Sequence, residues 1–126
     1  MKIKINSVTK TVSQVHVTFS TAIGTGAATW KDGTPEAGEE WEVELEINDE
    51  FVYGKNAKDA NEFYSLSMEK DVINLNARLI SIAEDEVAII DINGTKVMID
   101  LIDCPSNPPH FIHLSFKGLN LYPVHL

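Results

Sequence analysis

Between Gly38 and Glu50 apolar and acidic side chains alternate, with Trp41, Val43, Leu45 and Ile47 on one parity and Glu40, Glu42, Glu44 and Glu46 on the other. Successive side chains of a strand point to opposite faces, so this period of two predicts a half-buried strand with four carboxylates in a row on its outer side. Upstream, Val15, Val17 and Phe19 alternate with His16, Thr18 and Ser20, and residues 2–20 are rich in Val, Ile, Thr and Phe, a second strand region. The Ile23–Gly26 stretch breaks that run, residues 27–30 read as a short strand, and Asp32-Gly33 with Pro35 mark a turn before the acidic strand.

Downstream, Ile73, Leu75, Ala77 and Leu79 alternate with Asn74, Asn76 and Arg78. Two further apolar runs flank Asn93-Gly94, the strongest short hairpin signal, because a type I′ turn needs positive φ at both central residues. That turn sets Ile92 opposite Thr95, Asp91 opposite Lys96, Ile90 opposite Val97 and Ala88 opposite Ile99. Ile90, Ile92, Val97, Ile99 and Leu101 then share one face, and an Asp91–Lys96 ion pair is expected on the other. Val43, Leu45, Ile47, Leu75, Leu79, Ile90, Val97 and Ile99 form the expected core. Pro105, Pro108 and Pro109 force an irregular connection, after which residues 110–116 and 119–124 read as one or two short strands.

Only residues 50–71 depart from strand patterning. Ala57, Ala60, Phe63 and Tyr64 lie near helical spacing, so one or two helical turns or an irregular segment are expected there. Three strands, a crossing segment of about twenty residues, a meander and a C-terminal strand predict an all-β fold: a small antiparallel barrel, OB-like, with a helical or irregular segment near 51–71. A β-sandwich is the alternative architecture. At 126 residues the chain fits a single domain, 1–126.

The segments "TWKDGTPEAGEEWEVELEIND" and "LISIAEDEVAIIDINGTKVMIDL", in that order and spacing, resemble small uncharacterised bacterial proteins with an OB-like β-barrel. The resemblance spans roughly residues 25 to 102. It implies a barrel and a bacterial source, and it carries over no catalytic or binding residue.

Charge narrows the function. The net charge is −9, from 19 acids and 10 bases, with Arg78 the only arginine. Phosphate neutralisation and anionic membranes both need clustered Lys and Arg, so neither nucleic acid nor a membrane is an expected partner. One cysteine, Cys104, makes no internal disulfide and no cysteine-based zinc site, and no apolar run approaches the roughly 20 residues of a spanning helix. A cytoplasmic protein is expected.

Candidate chemistry is sparse. Cys104 has His110 and His113 within ten residues, but it reads as a small buried residue rather than a nucleophile. The two histidines, at i and i+3 on a strand, face opposite sides and make no metal pair. The glycines at 24 and 26 lack the third glycine and following helix of a dinucleotide fingerprint. Carboxylates about 6.6 Å apart along a strand are too spread for one cation. No enzyme, cofactor or metal is expected.

What remains is the acidic row. Residues 36–50 hold eight acids and no base. Adjacent like charges about 6.6 Å apart repel by roughly 0.6 kcal/mol in water before screening, so a purely solubilising face would mix signs. Reversing Glu42 and Glu44 to Lys is then expected to relieve repulsion. The row is read as a surface for a basic protein, with Glu40, Glu42, Glu44 and Glu46 as partner-binding residues, in the manner of an immunity-type inhibitor; a solvated outer barrel face is the other reading of the same residues. The alternative is an OB-like module for an oligosaccharide or other small ligand, using the chain's aromatic residues.

Overall fold

The computed structural model describes residues 1–125. Twelve strands run β1 (Lys2–Lys10), β2 (Val15–Thr21), β3 (Gly24–Trp30), β4 (Glu40–Ile47), β5 (Glu50–Val52), β6 (Ala57–Asp59), β7 (Ser65–Glu69), β8 (Val72–Ile82), β9 (Val87–Ile92), β10 (Thr95–Ile102), β11 (His110–Phe116) and β12 (Leu119–Pro123). The fold is all-β, with no helix among the described residues.

Five strands close a barrel in the order β12-β4-β1-β2-β3, and β3 returns to β12 through a parallel pairing of Thr29 with Asn120 and Trp30 with Leu121. A five-stranded ring of this kind is OB-like. The expected late meander does not supply its closing strand. β12 does, by pairing Leu119–Pro123 antiparallel to Val43–Ile47, while β8, β9 and β10 curl into a second part of the sheet outside the ring. The two parts meet where Gly24 pairs with Leu66 of β7. A Cβ on Gly24 would stand 1.8 Å from the Leu66 carbonyl oxygen, so only glycine permits this approach. β3 thus begins at Gly24, three residues before the strand that propensity alone marks out.

Residues 50–71 take the irregular option, built from β5, β6 and β7. The helical spacing of Ala57, Ala60, Phe63 and Tyr64 does not produce a helix, because this stretch supplies edge partners to three other strands. β5 runs parallel to β10, β6 pairs with β11, and β7 pairs with β8. Ala57 is buried while Phe63 stands 51% exposed, so the four residues share no face.

The hairpin has the expected register, with Ile92 opposite Thr95 and Ile90 opposite Val97, and positive φ at Asn93 (50°) and Gly94 (105°). Ile90, Ile92, Val97, Ile99 and Leu101 are buried together. The Asp91–Lys96 ion pair is not formed. Asp91 instead accepts from the Tyr64 hydroxyl at 2.7 Å and from the Gly94 amide at 2.9 Å. Two directional donors hold the carboxylate, leaving Lys96 to solvent.

One hydrophobic core runs through the described residues. Of the expected core positions, Leu45 alone is only partly buried, whereas Val43, Ile47, Leu75, Leu79, Ile90, Val97 and Ile99 are all inside.

Candidate functional site

β4 is the strand along which the sequence places its site, and its two edges are served unequally. One edge pairs with β12 along its length from Val43 to Ile47. The other pairs with β1 only where Glu40, Trp41 and Glu42 face Lys4, Ile3 and Lys2. Met1 extends this ladder by one step, exchanging hydrogen bonds with Val43 at 2.9 and 2.8 Å.

The four glutamates lie on the outer side of β4, and they differ in their surroundings. Glu40 pairs with the Lys2 ammonium at 3.6 Å, and Glu42 with the Met1 ammonium at 3.2 Å. Glu46 accepts from Asn120 at 2.9 Å, Asn48 at 3.1 Å and the Tyr122 hydroxyl at 3.3 Å. The Asn120 and Asn48 amides hold its carboxyl below the usual carboxylate range. Glu44 has no ion pair or hydrogen-bond partner among the described residues. The row is thus not a one-sign face: β1 interleaves Lys2 and Lys4 with Glu42 and Glu40, and the charge left over is at Glu44.

Beside this edge lies a groove of about 920 Å³. Its β4 bank includes Glu42, Glu44, Leu45 and Glu46, and its opposite bank is Gly94–Met98 of the hairpin and β10. Tyr122 and Val124 line one side. Met98, 66% exposed, stands on the bank that faces the carboxylates.

The other aromatic candidates lie elsewhere. Trp30 is buried, donates its indole N–H to the Asp32 carbonyl at 3.2 Å, and packs edge-on against the partly buried Trp41 with ring centroids 5.4 Å apart.

The histidines diverge as an extended strand requires. Cys104 Sγ lies 3.9 Å from His110 Nε2, and His110 Nδ1 lies 3.1 Å from the Phe111 carbonyl, to which it donates. Asp59 stands farther off, 3.8 Å from that nitrogen, and accepts instead from the Tyr53 hydroxyl. His113 faces Asn76 at 2.5 Å and Asn74 at 3.1 Å, and burial followed by the charge of Lys58 pushes its imidazole below the ordinary histidine value. The Cys104–His110 contact places a thiol beside a base, without a carboxylate bonded to orient the ring. Cys104, expected as a small buried residue, is instead only partly buried beside His110, and the Asn74–Asn76–His113 cluster, joined across β8 and β11, was not legible in the sequence.

No family model, curated protein or solved structure matches this chain.

Proposed function

We propose that this chain is a non-enzymatic protein-binding domain that receives a basic partner on the outer side of β4, as an immunity-type inhibitor would. The observation that carries the reading is the groove of about 920 Å³ that runs beside Glu42, Glu44 and Glu46. Glu44 keeps an unpaired charge there, and Met98 and Tyr122 offer apolar surface next to it. Exposed apolar side chains rimmed by charge are the usual composition of a protein interface. The overall charge of −9 would speed encounter with a basic protein and disfavour acidic competitors.

The test is capture from the source cell at low and moderate salt, with wild type beside Glu44→Lys. A basic protein held by wild type, released as salt rises and lost with Glu44→Lys supports the reading. Equal capture by both chains, or none by either, ends it.

A further inference from the structure

Asn76 is buried on the face of β8 that turns away from the core. Ile73, Leu75, Ala77 and Leu79 fill the core, so by alternation Asn74, Asn76 and Arg78 point to the outer face. Asn76 is nevertheless only 6% exposed, the one polar residue that is buried among the described residues. Residues 60–64 cover it by crossing β8 and β11 on that face. The Ala60 amide bonds the Phe111 carbonyl at 3.1 Å, and the Tyr64 ring packs edge-on against Phe111 with centroids 5.1 Å apart.

Beside this segment lies a pocket of about 340 Å³, with Lys58, Asn61, Phe63, Asn76 and His113 among its lining residues. Asn76 Oδ1 accepts from His113 Nδ1 at 2.5 Å. Asn76 Nδ2 has no hydrogen-bond partner among the described residues. No fully enclosed side-chain polar atom among them lacks one, so this donor opens into the pocket that Asn76 lines. A buried donor left without a partner costs about 1–3 kcal/mol, so the free end of the amide calls for an acceptor.

The charge beside it is positive. Lys58 stands opposite His113, and His113 opposite Asn76, so the three side chains form one row across β6, β11 and β8. Lys58 is exposed and has no ion pair among the described residues. Burial, then the Lys58 charge, hold the His113 imidazole below its ordinary value, so at neutral pH the ring is uncharged and Lys58 is the one cation of the lining. Asp59, the one acid there, lies opposite the buried Ile112. Strand alternation therefore turns its carboxylate to the other face of β6, where Tyr53 donates to it. Phe63 completes the rim with a ring that is 51% exposed.

We propose that this pocket binds a small organic carboxylate whose remaining part is a ring with an apolar face. In that complex the carboxylate accepts from the free Asn76 amide and pairs with the Lys58 ammonium, and the ring lies against Phe63. Hydrogen bonds to an ionised acceptor are stronger than neutral ones, the more so where water is partly excluded. An apolar wall with a few converging polar groups is the usual make-up of a small-ligand site. The pocket uses none of the β4 residues, so it stands independently of the partner reading.

The test is an NMR titration of the intact chain with benzoate and with glucuronate, each beside its uncharged counterpart, benzamide and glucose. The expected result is that at least one of the two carboxylates shifts the Asn76 side-chain amide signals saturably. Its uncharged counterpart should bind roughly tenfold more weakly or not at all, since it cannot pair with Lys58. Lys58→Met should weaken that carboxylate by roughly tenfold, and Phe63→Ala by about threefold or more. Both residues are exposed, so signals away from the pocket should stay as in wild type and show that the fold is kept. Saturation by benzoate alone assigns a flat ring, and by glucuronate alone a sugar ring.

No shift at Asn76 with either carboxylate overturns the proposal, because water then satisfies the free amide. Equal binding of a carboxylate and its uncharged counterpart overturns it as well, since the pocket then recognises a ring and not a charge. Binding unchanged by Lys58→Met or by Phe63→Ala has the same consequence.

Discussion

Tyr64 donates its hydroxyl to Asp91 across the sheet at 2.7 Å, and the other two tyrosines do the same with carboxylates of their own, Tyr53 with Asp59 and Tyr122 with Glu46. Every tyrosine of the chain is thereby held above its ordinary pKa. Burial leads at Tyr53 and Tyr122, and the hydrogen bond to Asp91 leads at Tyr64. A raised pKa in the fold means the unfolded chain releases its phenol protons first. The stability these groups supply is complete below about pH 10, the unfolded value, and is lost as pH rises through the folded values. Tyrosinate absorbance in the native protein should show no titration near pH 10, followed by a late rise coupled to unfolding. A tyrosine titrating near pH 10 in the folded protein would contradict this.

Gly94 and Gly24 should respond differently to substitution. A Cβ on Gly94 meets nothing within 4 Å, so Gly94→Val suffers only from the positive φ of 105°, a cost of about 1–3 kcal/mol in denaturant unfolding. Gly24→Ala must push the Leu66 carbonyl aside and break the bridge between the two parts of the sheet. It should cost more than Gly94→Val, and an equal or smaller loss would show that this bridge contributes little.

Core truncations should separate a fully enclosed side chain from one at the groove. Ile99→Ala is expected to cost about 2–5 kcal/mol. Leu45→Ala, only partly buried, should cost about half as much. Equal losses in parallel urea titrations would show that Leu45 is enclosed after all.

The two central glutamates should not behave as a pair. Pure alternation leads one to expect that Lys at both positions relieves repulsion. With the Met1 ammonium at 3.2 Å and Lys2 opposite, Glu42→Lys instead places like charges together. It should lower stability by up to about 1 kcal/mol, and less at high salt, because the Glu42 side chain is exposed. Glu44→Lys should be neutral or slightly stabilising. Melting temperatures at two salt concentrations check both.

What could be read in advance was what is local. Asn93-Gly94 carries its turn chemistry in two residues, and the apolar parity of Ile90, Ile92, Val97 and Ile99 confirms the register independently. The closing of the barrel was not legible, because the pairing of Leu119–Pro123 with β4 and β3 leaves no mark in the short apolar pattern of either partner. Nor could Leu45 be told from Val43 and Ile47, which share its parity. All three stand on one strand, and the difference in their burial comes from packing partners distant in sequence. The acidic row was visible, but Lys2 and Lys4, its counter-charges, sit in another strand, so the charge balance of the face emerged only in three dimensions.

The ring formed by β12 also sets an order of events during synthesis. A ribosome makes β1 to β4 first and β12 last, so on the growing chain four barrel strands are present long before the fifth. Until then β3 and β4 each lack a neighbour on one edge, and the main-chain groups of Glu44 and Glu46 that face β12 stay unpaired. Such non-local closure is slow and exposes unpaired backbone while it waits. The nascent chain therefore carries an open sheet from the time β4 has emerged until β12 follows it out of the tunnel.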